Sequence, residues 1–261
     1  MHNSLKFSIV TVSYNQGEFI RDNIESVLAQ NYNNFEHIII DGGSTDNTIE
    51  ILREYPHLNW ISERDRGQSD GLNKGFKRAT GDVIAWINSD DMLSPNSLHT
   101  INDFFLENPD KSVLVGNQVF IDRNGAYIKT IKAKPFSYDW LLNGVKSAVM
   151  QNSTFFRREI FSKTGYLDED LHYTMDRDLF IRIAKFYKVY TIDQDLSYFR
   201  FWEDSKSYTS KIKFFKDLIK VKKKYNAPLL SKSNLWIAWQ FVKEPFRRIA
   251  FFRNVVTYIK S

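Results

Sequence analysis

The residues of this chain best suited to chemistry are carboxylates placed directly after short apolar, β-branched runs. Asp41, the segment Glu63-Arg64-Asp65 and the pair Asp90-Asp91 all occur in this way. Hard cations such as Mg²⁺ and Mn²⁺ prefer carboxylate oxygen and commonly bridge one or two protein carboxylates to substrate phosphates. Asp90-Asp91 has the composition for that task, and it reads equally as a cap on a helix opening near Pro95. Asp41 precedes Gly42-Gly43, which lets a backbone approach a ligand closely. Its carboxylate can accept a hydrogen bond from a base N–H or a ribose hydroxyl, or it can form a turn. Each acid alone is an ordinary loop residue. Gathered at one edge they repel one another, so a divalent cation or a hydrogen-bonding ligand is their natural partner.

The elements that must position these acids are legible in the pattern. Residues 7–13, 35–40, 58–61 and 83–87 are apolar runs of strand length. Between them, residues 17–30, a short stretch from Ile49 to before Pro56, and residues 67–79 carry helical spacing. This alternation predicts an α/β fold with a Rossmann-type, mostly parallel sheet flanked by helices. In such sheets ligands bind at the carboxyl ends of the strands, where all of these acids fall. Beyond Asp91 the pattern predicts helices near 95–107, 161–165 and 173–187. Strands are expected near 112–121, 126–133, 151–156, 188–192 and 196–201. Neither a Gly-x-x-x-x-Gly-Lys loop nor a Gly-x-Gly-x-x-Gly turn follows the first strand, which removes ordinary NTPase and dinucleotide readings.

The absence of Cys excludes disulfides, Cys-ligated zinc, iron–sulfur clusters and thiol catalysis. The net charge of +5 is unevenly spread: residues 1–204 carry −7 and residues 205–261 carry +12. A uniformly basic nucleic-acid binder does not look like this, and no nucleic-acid partner is expected.

Four segments, in order, carry a resemblance: Thr11-Val12-Ser13-Tyr14-Asn15, Ile40-Asp41-Gly42-Gly43-Ser44-Thr45-Asp46, Asp65 to Gly75, and Asn88-Ser89-Asp90-Asp91. Over roughly residues 7–205 the chain resembles the family 2 inverting glycosyltransferases of GT-A fold. The resemblance implies a nucleotide-sugar donor, most often a UDP-sugar, and Mn²⁺ or Mg²⁺ as cofactor. Thr11, Ser13 and Tyr14 match positions around the base, Asp41 the acid on uracil, and Asp70 and Asn73 positions near ribose and diphosphate. Asp90 and Asp91 match the ribose and metal acids, with either as metal ligand. Asn88 stands where the common pattern has its first acid.

Inversion at an anomeric carbon needs a carboxylate to deprotonate the acceptor hydroxyl. Asp176 matches the likely base, and Asp178 is the alternative or an orienting neighbour, with Met175 where the family usually has Glu. Apart from the resemblance, both acids read as helix N-terminal residues favoured by the macrodipole. Gln151 lies in a segment like an acceptor-side one, and Arg200 and Lys206 are candidate diphosphate partners. Trp202 replaces a His that begins a loop in many relatives. Donor specificity is expected from residues near 113–120 and 148–156. A sugar nucleotidyltransferase is the second enzymatic reading, opposed by the missing Gly-rich loop. A nucleotide- or glycan-binding relative without catalysis is the third.

The division expected is a catalytic domain over 1–209 and a basic helical tail over 210–261. Phe214, Leu218, Val221 and Tyr225 form one stripe, with Lys213, Lys216, Lys220, Lys223 and Lys224 opposite. The tail either packs on the body or lies on an anionic membrane surface, where a saccharide or lipid-linked acceptor for cell-surface polysaccharide would be met. The location expected is the cytoplasm, at most peripheral on the inner membrane face, because no signal sequence or spanning segment is evident.

Overall fold

The computed structural model describes residues 4–144, 149–202, 211–228, 234–236 and 238–239. Strand β1 (Phe7–Ser13) is flanked by β2 (Phe35–Asp41) and β4 (Val83–Trp86), with β3 (Asn59–Ser62) beyond β2; all three pairings are parallel. The register sets Ser13 beside Asp41, and Asp41 beside Ser62, so these carboxyl ends share one edge as the sequence predicts. Helices α1 (Ile20–Leu28), α2 (Thr48–Arg53) and α3 (Gln68–Arg78) make the crossovers.

The second half of the sheet is mixed. Strand β6 (Val113–Ile121) runs antiparallel to β8 (Thr154–Arg157) and β7 (Tyr127–Ile131) and parallel to β9 (Tyr190–Arg200). Strand β5 (Met92–Leu93) closes that side against β9, and β8 joins the two halves by pairing antiparallel with β4. The sheet therefore holds as many antiparallel as parallel pairings among the described residues. Two expected strands at 188–192 and 196–201 are one, β9. Its polar centre, Asp193-Gln194-Asp195, stays in the sheet because Asn117 Nδ2 donates to both aspartates across a register shift.

Side-chain alternation divides the core between the two faces. Phe7 and Ile9 face α1 and α4 (Ser97–Glu107), packing with Val27, Leu98 and Phe105. Val10 and Val12 face α3 and α7 (Met175–Phe186), packing with Leu72, Phe76 and Leu179. Gly75 permits this contact: a Cβ there would stand 2.5 Å from Val10 Cγ1. The close approach sets the N-terminus of α3 beside the strand ends. Helices α5 (Tyr138–Asn143) and α6 (Phe161–Thr164) complete the layer on α7.

Helix α8 (Lys211–Lys224), which opens the expected tail, packs on the body, the first of its two expected placements. Leu218 and Val221 are buried, and Val221 belongs to the same core cluster as Val10 and Leu179. Asp217 accepts hydrogen bonds from the backbone N–H groups of His172 and Tyr173. Lys222 donates to the Leu142 carbonyl at 2.7 Å, and Lys224 pairs with Asp168 and Asp178. Burial, with the Arg177 guanidinium nearby, lowers the Lys222 ammonium to about 8. The helix is thus bound to the body by core packing and charge, with Lys224 reaching Asp168 and Asp178 from an exposed position. Most of the tail beyond Pro228 lies outside the described residues, as does Lys206.

A chain ended at residue 209 removes two partners of the buried Asp178 and uncovers the apolar bed of α8. Its stability in urea is expected to fall by about 3–5 kcal/mol, mostly from lost burial of Leu218 and Val221 at ~1.5–3 kcal/mol each. An unfolding midpoint equal to that of the full chain would show that α8 adds nothing to the stability of the body.

Candidate active site

The chain leaves β4 at Trp86 and turns through Asn88 to Asp91, beyond the edge made by β1, β2 and β3. Asn88 is the hub of this turn. Its Oδ1 accepts from Trp86 Nε1 and Gln68 Nε2, and its Nδ2 donates to Asp91 Oδ2 and Gln151 Oε1 at 3.3 and 3.1 Å. Gln151 also donates to the Trp86 carbonyl. The amide at position 88 supplies donors to Asp91 and Gln151 that a carboxylate could not.

Asp91 is buried, with Oδ1 accepting from the Arg200 N–H at 3.0 Å. Asp90 accepts from Trp202 Nε1 at 3.0 Å. Burial holds the Asp90 carboxyl above its ordinary range, against the opposing Trp202 hydrogen bond and Arg200 charge. Burial raises Asp91 further still, and the charge of Asp90 adds to it. No three His, Asp or Glu side chains converge on a common point among the described residues. The donor set is two adjacent, poorly solvated carboxylates. That set fits a hard cation whose remaining ligands are water and substrate phosphate oxygens. Trp202 adds no ligand, since an indole N–H only donates.

Several expected site residues are committed elsewhere. Arg200 is buried: it donates to the Asp90 and Arg123 carbonyls and pairs with Asp22 at 2.7 Å. Its charge is engaged in holding β9 to α1 and to the Asp90 turn. Asp178 is buried between Arg182, Lys224 and the Tyr225 hydroxyl, and so anchors α8 instead of standing beside Asp176. Asp41 accepts from the N–H groups of Gly43 and Ser44 and from the hydroxyls of Ser44 and Ser62, the turn-forming alternative. Asn73 closes both sides of its amide on the backbone of Leu167. Thr11 points under the sheet edge, 3.1 Å from His37 Nε2.

Other residues do present chemistry at the edge. Ser13 Oγ is buried without a protein partner at the end of β1, and Tyr14 beside it is 61% exposed. Asp70, in the first turn of α3, is held below its ordinary range by Arg66 and Lys74, which outweigh its burial. Asp176 lies half-buried in the first turn of α7, its Oδ1 accepting from the Arg177 N–H at 2.7 Å. The segment before it is tied to α3: Ser69 Oγ donates to the Leu171 carbonyl, and His172 faces Gly67. The starts of α3 and α7 therefore meet, and Gln68 joins them to Asn88.

Gln68 was not singled out from sequence. It sits inside a polar motif without an acid or base of its own, so only its contact with Asn88 reveals it.

Comparison with known proteins agrees with this architecture. Residues 8–165 match the family model described as glycosyl transferase family 2. An uncharacterized glycosyltransferase of Rickettsia typhi is 31% identical over 191 residues, covering 70% of this chain and 60% of the relative. One of Nostoc sp. is 27% identical over 212 residues, covering 75% of this chain and 65% of the relative. This chain thus spans less than two thirds of either relative. S. aureus TarS 1–349 in complex with UDP-GlcNAc superposes with TM-score 0.64 at 18% identity, over 87% of this chain and 68% of that one. The mannosyltransferase PcManGT of Pyrobaculum calidifontis, in complex with GDP-Man and Mn²⁺, gives 0.63 at 17%, over 91% and 70%. These two likenesses are of fold: a mixed α/β, Rossmann-like sheet of GT-A type. With the family model covering more than half of its length, the chain belongs to glycosyl transferase family 2.

Proposed function

We propose that this protein is an inverting, metal-dependent glycosyltransferase using a nucleotide-sugar donor, of UDP type, and a saccharide or lipid-linked acceptor for cell-surface polysaccharide. The observation that carries the reading is the joining of two acidic centres through α3. The Asp90-Asp91 pair connects through Asn88 to Gln68, and the neighbouring Ser69 holds the segment that ends in Asp176. One centre suits a diphosphate with its cation, and the other suits a general base.

Ser13 and Tyr14 lie at the donor end, with Asp70 at the start of α3 near the ribose and diphosphate. Thr11, Asp41 and Asn73 shape that pocket from behind through the contacts described above. Gln151 fixes the Asn88 turn next to the acceptor side. Asp90 and Asp91 are the residues that would hold Mn²⁺ or Mg²⁺, which as a Lewis acid would neutralise the diphosphate and improve it as a leaving group. The Asp176 carboxylate takes the proton of the acceptor hydroxyl. The hydroxyl oxygen forms its bond to the anomeric carbon on the face opposite the diphosphate. The bond from that carbon to the diphosphate breaks, and the nucleoside diphosphate leaves.

Asp176→Asn removes the base while keeping the size of the side chain. Transfer is expected to fall about 10²–10⁴-fold, with UDP affinity in the calorimeter unchanged. Near-normal turnover would move the base elsewhere. Asp91→Ala is expected to abolish the stabilisation by Mn²⁺ with UDP, about 2.7 kcal/mol at a hundred times Kd for the intact site. A thermal shift equal to that of the parent protein would remove Asp91 from the metal site.

No helix among the described residues is long and apolar enough to cross a membrane. The peripheral location proposed rests on the aromatic and basic sequence after Pro228, since α8 packs on the body. Flotation with anionic vesicles at low salt is expected to carry the full chain upward, and elution by raised salt would mark the contact as electrostatic. Failure to float at low salt would end the membrane reading.

A further inference from the structure

The end of β9 holds Asp90 twice. Arg200 Nε donates to the Asp90 carbonyl at 3.1 Å, and two residues later the Trp202 indole donates to the carboxylate at 3.0 Å. The indole itself has little freedom. Its ring packs on Phe19 with centroids 5.0 Å apart and planes tilted by 58°. The Arg123 guanidinium covers it at 5.7 Å from the ring centroid, and Arg200 covers Phe19 at 4.9 Å. Four planar groups thus stack in the order Arg123, Trp202, Phe19, Arg200.

Both ends of the stack are tied to the region of α1. Arg123 makes two 2.7 Å hydrogen bonds to Glu18, one to each carboxylate oxygen, and Arg200 pairs with Asp22 at 2.7 Å. Cation–π and ring–ring contacts of this kind contribute about 0.5–1.5 kcal/mol each. Their combined effect is to give the indole N–H one direction, toward Asp90 Oδ2.

We propose that Trp202 is a positioning residue for the carboxylate pair, orienting Asp90 as an anion for a divalent cation without itself ligating that cation. This role rests on the metal-dependent reading above. A carboxylate has about four acceptor sites, and one indole N–H fills one of them. The group donates and never accepts, so it favours the charged acid and leaves the other lone pairs for a hard cation. Groups that hold a ligand in this way matter to affinity: removing one typically costs 10–100-fold. The stack also explains how the chain keeps an ordered Asp90 with no His at position 202.

The test is a calorimetric Mn²⁺ titration in the presence of UDP, on the full chain and on Trp202→Phe. Phenylalanine keeps an aromatic ring in the stack and removes the N–H donor together with the second ring of the indole. Mn²⁺ affinity is expected to weaken about 10–100-fold, at an unchanged melting temperature without metal. Equal Mn²⁺ affinity in the two proteins overturns the role of Trp202 while leaving the metal reading intact. No Mn²⁺ binding by the parent protein overturns the metal reading, and this role with it. A second measurement covers a variant that folds poorly. In the parent protein the Trp202 indole N–H resonance, assigned by its loss in Trp202→Phe or Trp202→His, is expected to shift when Mg²⁺ is added with UDP. A resonance that stays in place while Mg²⁺ binds overturns the proposal.

Discussion

Two neighbouring carboxylates, Asp91 buried and Asp90 half-buried, are the constraint around which the rest is arranged. Burial disfavours the charged form of each, and each disfavours the charge of the other. Such an arrangement persists only when the surrounding structure determines it strongly. Here the Asn88 amide, the Arg200 backbone and the Trp202 indole all donate into the pair. All three donors are neutral, so the pair is oriented without being neutralised. The Arg200 guanidinium, the nearest large cation, is turned aside to carbonyl oxygens and Asp22. The negative charge is left for something else to satisfy.

The opposite side of the site is built by a different economy. Asp176 stands at the start of a helix whose interior face is held by charged groups from α8. Arg182, Lys224 and Tyr225 gather around the buried Asp178, and Arg177 and Lys222 donate to consecutive carbonyls at the end of α5. The lysine-rich helix is therefore a supporting wall of the catalytic body. Lys222 does its work inward, where burial makes the contact stronger than on a wet surface, while Lys213, Lys216, Lys220, Lys223 and Lys224 keep exposed side chains.

Much of this was legible in sequence, because β-branched runs and helical spacing report burial directly. The parallel half of the sheet and its acidic edge follow from 7–13, 35–40 and 83–87. The break expected in β9 came from Asp193-Gln194-Asp195, whose polarity is absorbed by Asn117 from another strand. A partner that distant has no local signature. Short β5 and α5 were missed because neither is long enough to show a period. Asp176 and Asp178 could have been told apart: residues two apart on a helix face away from one another, and Asp178 has Arg182 four residues on. For Arg200, sequence gives a charge but not the direction in which it points, and its contacts to Asp22 and two carbonyls come from the fold. For Asp41 the turn and the ligand readings rest on the same glycines, and the hydroxyls of Ser44 and Ser62 that bond to it come from the fold.

Asn73 engages both sides of its amide on Leu167 and also donates to Glu169, while Ser69 holds Leu171 one turn earlier. Helix α3 and the segment leading to α7 are thereby one mechanical part. A motion that tilts α3 must carry the segment before Asp176 along with it. The separation between the Asn88 turn and Asp176 then becomes a fixed dimension of the protein, like the gauge of a rail.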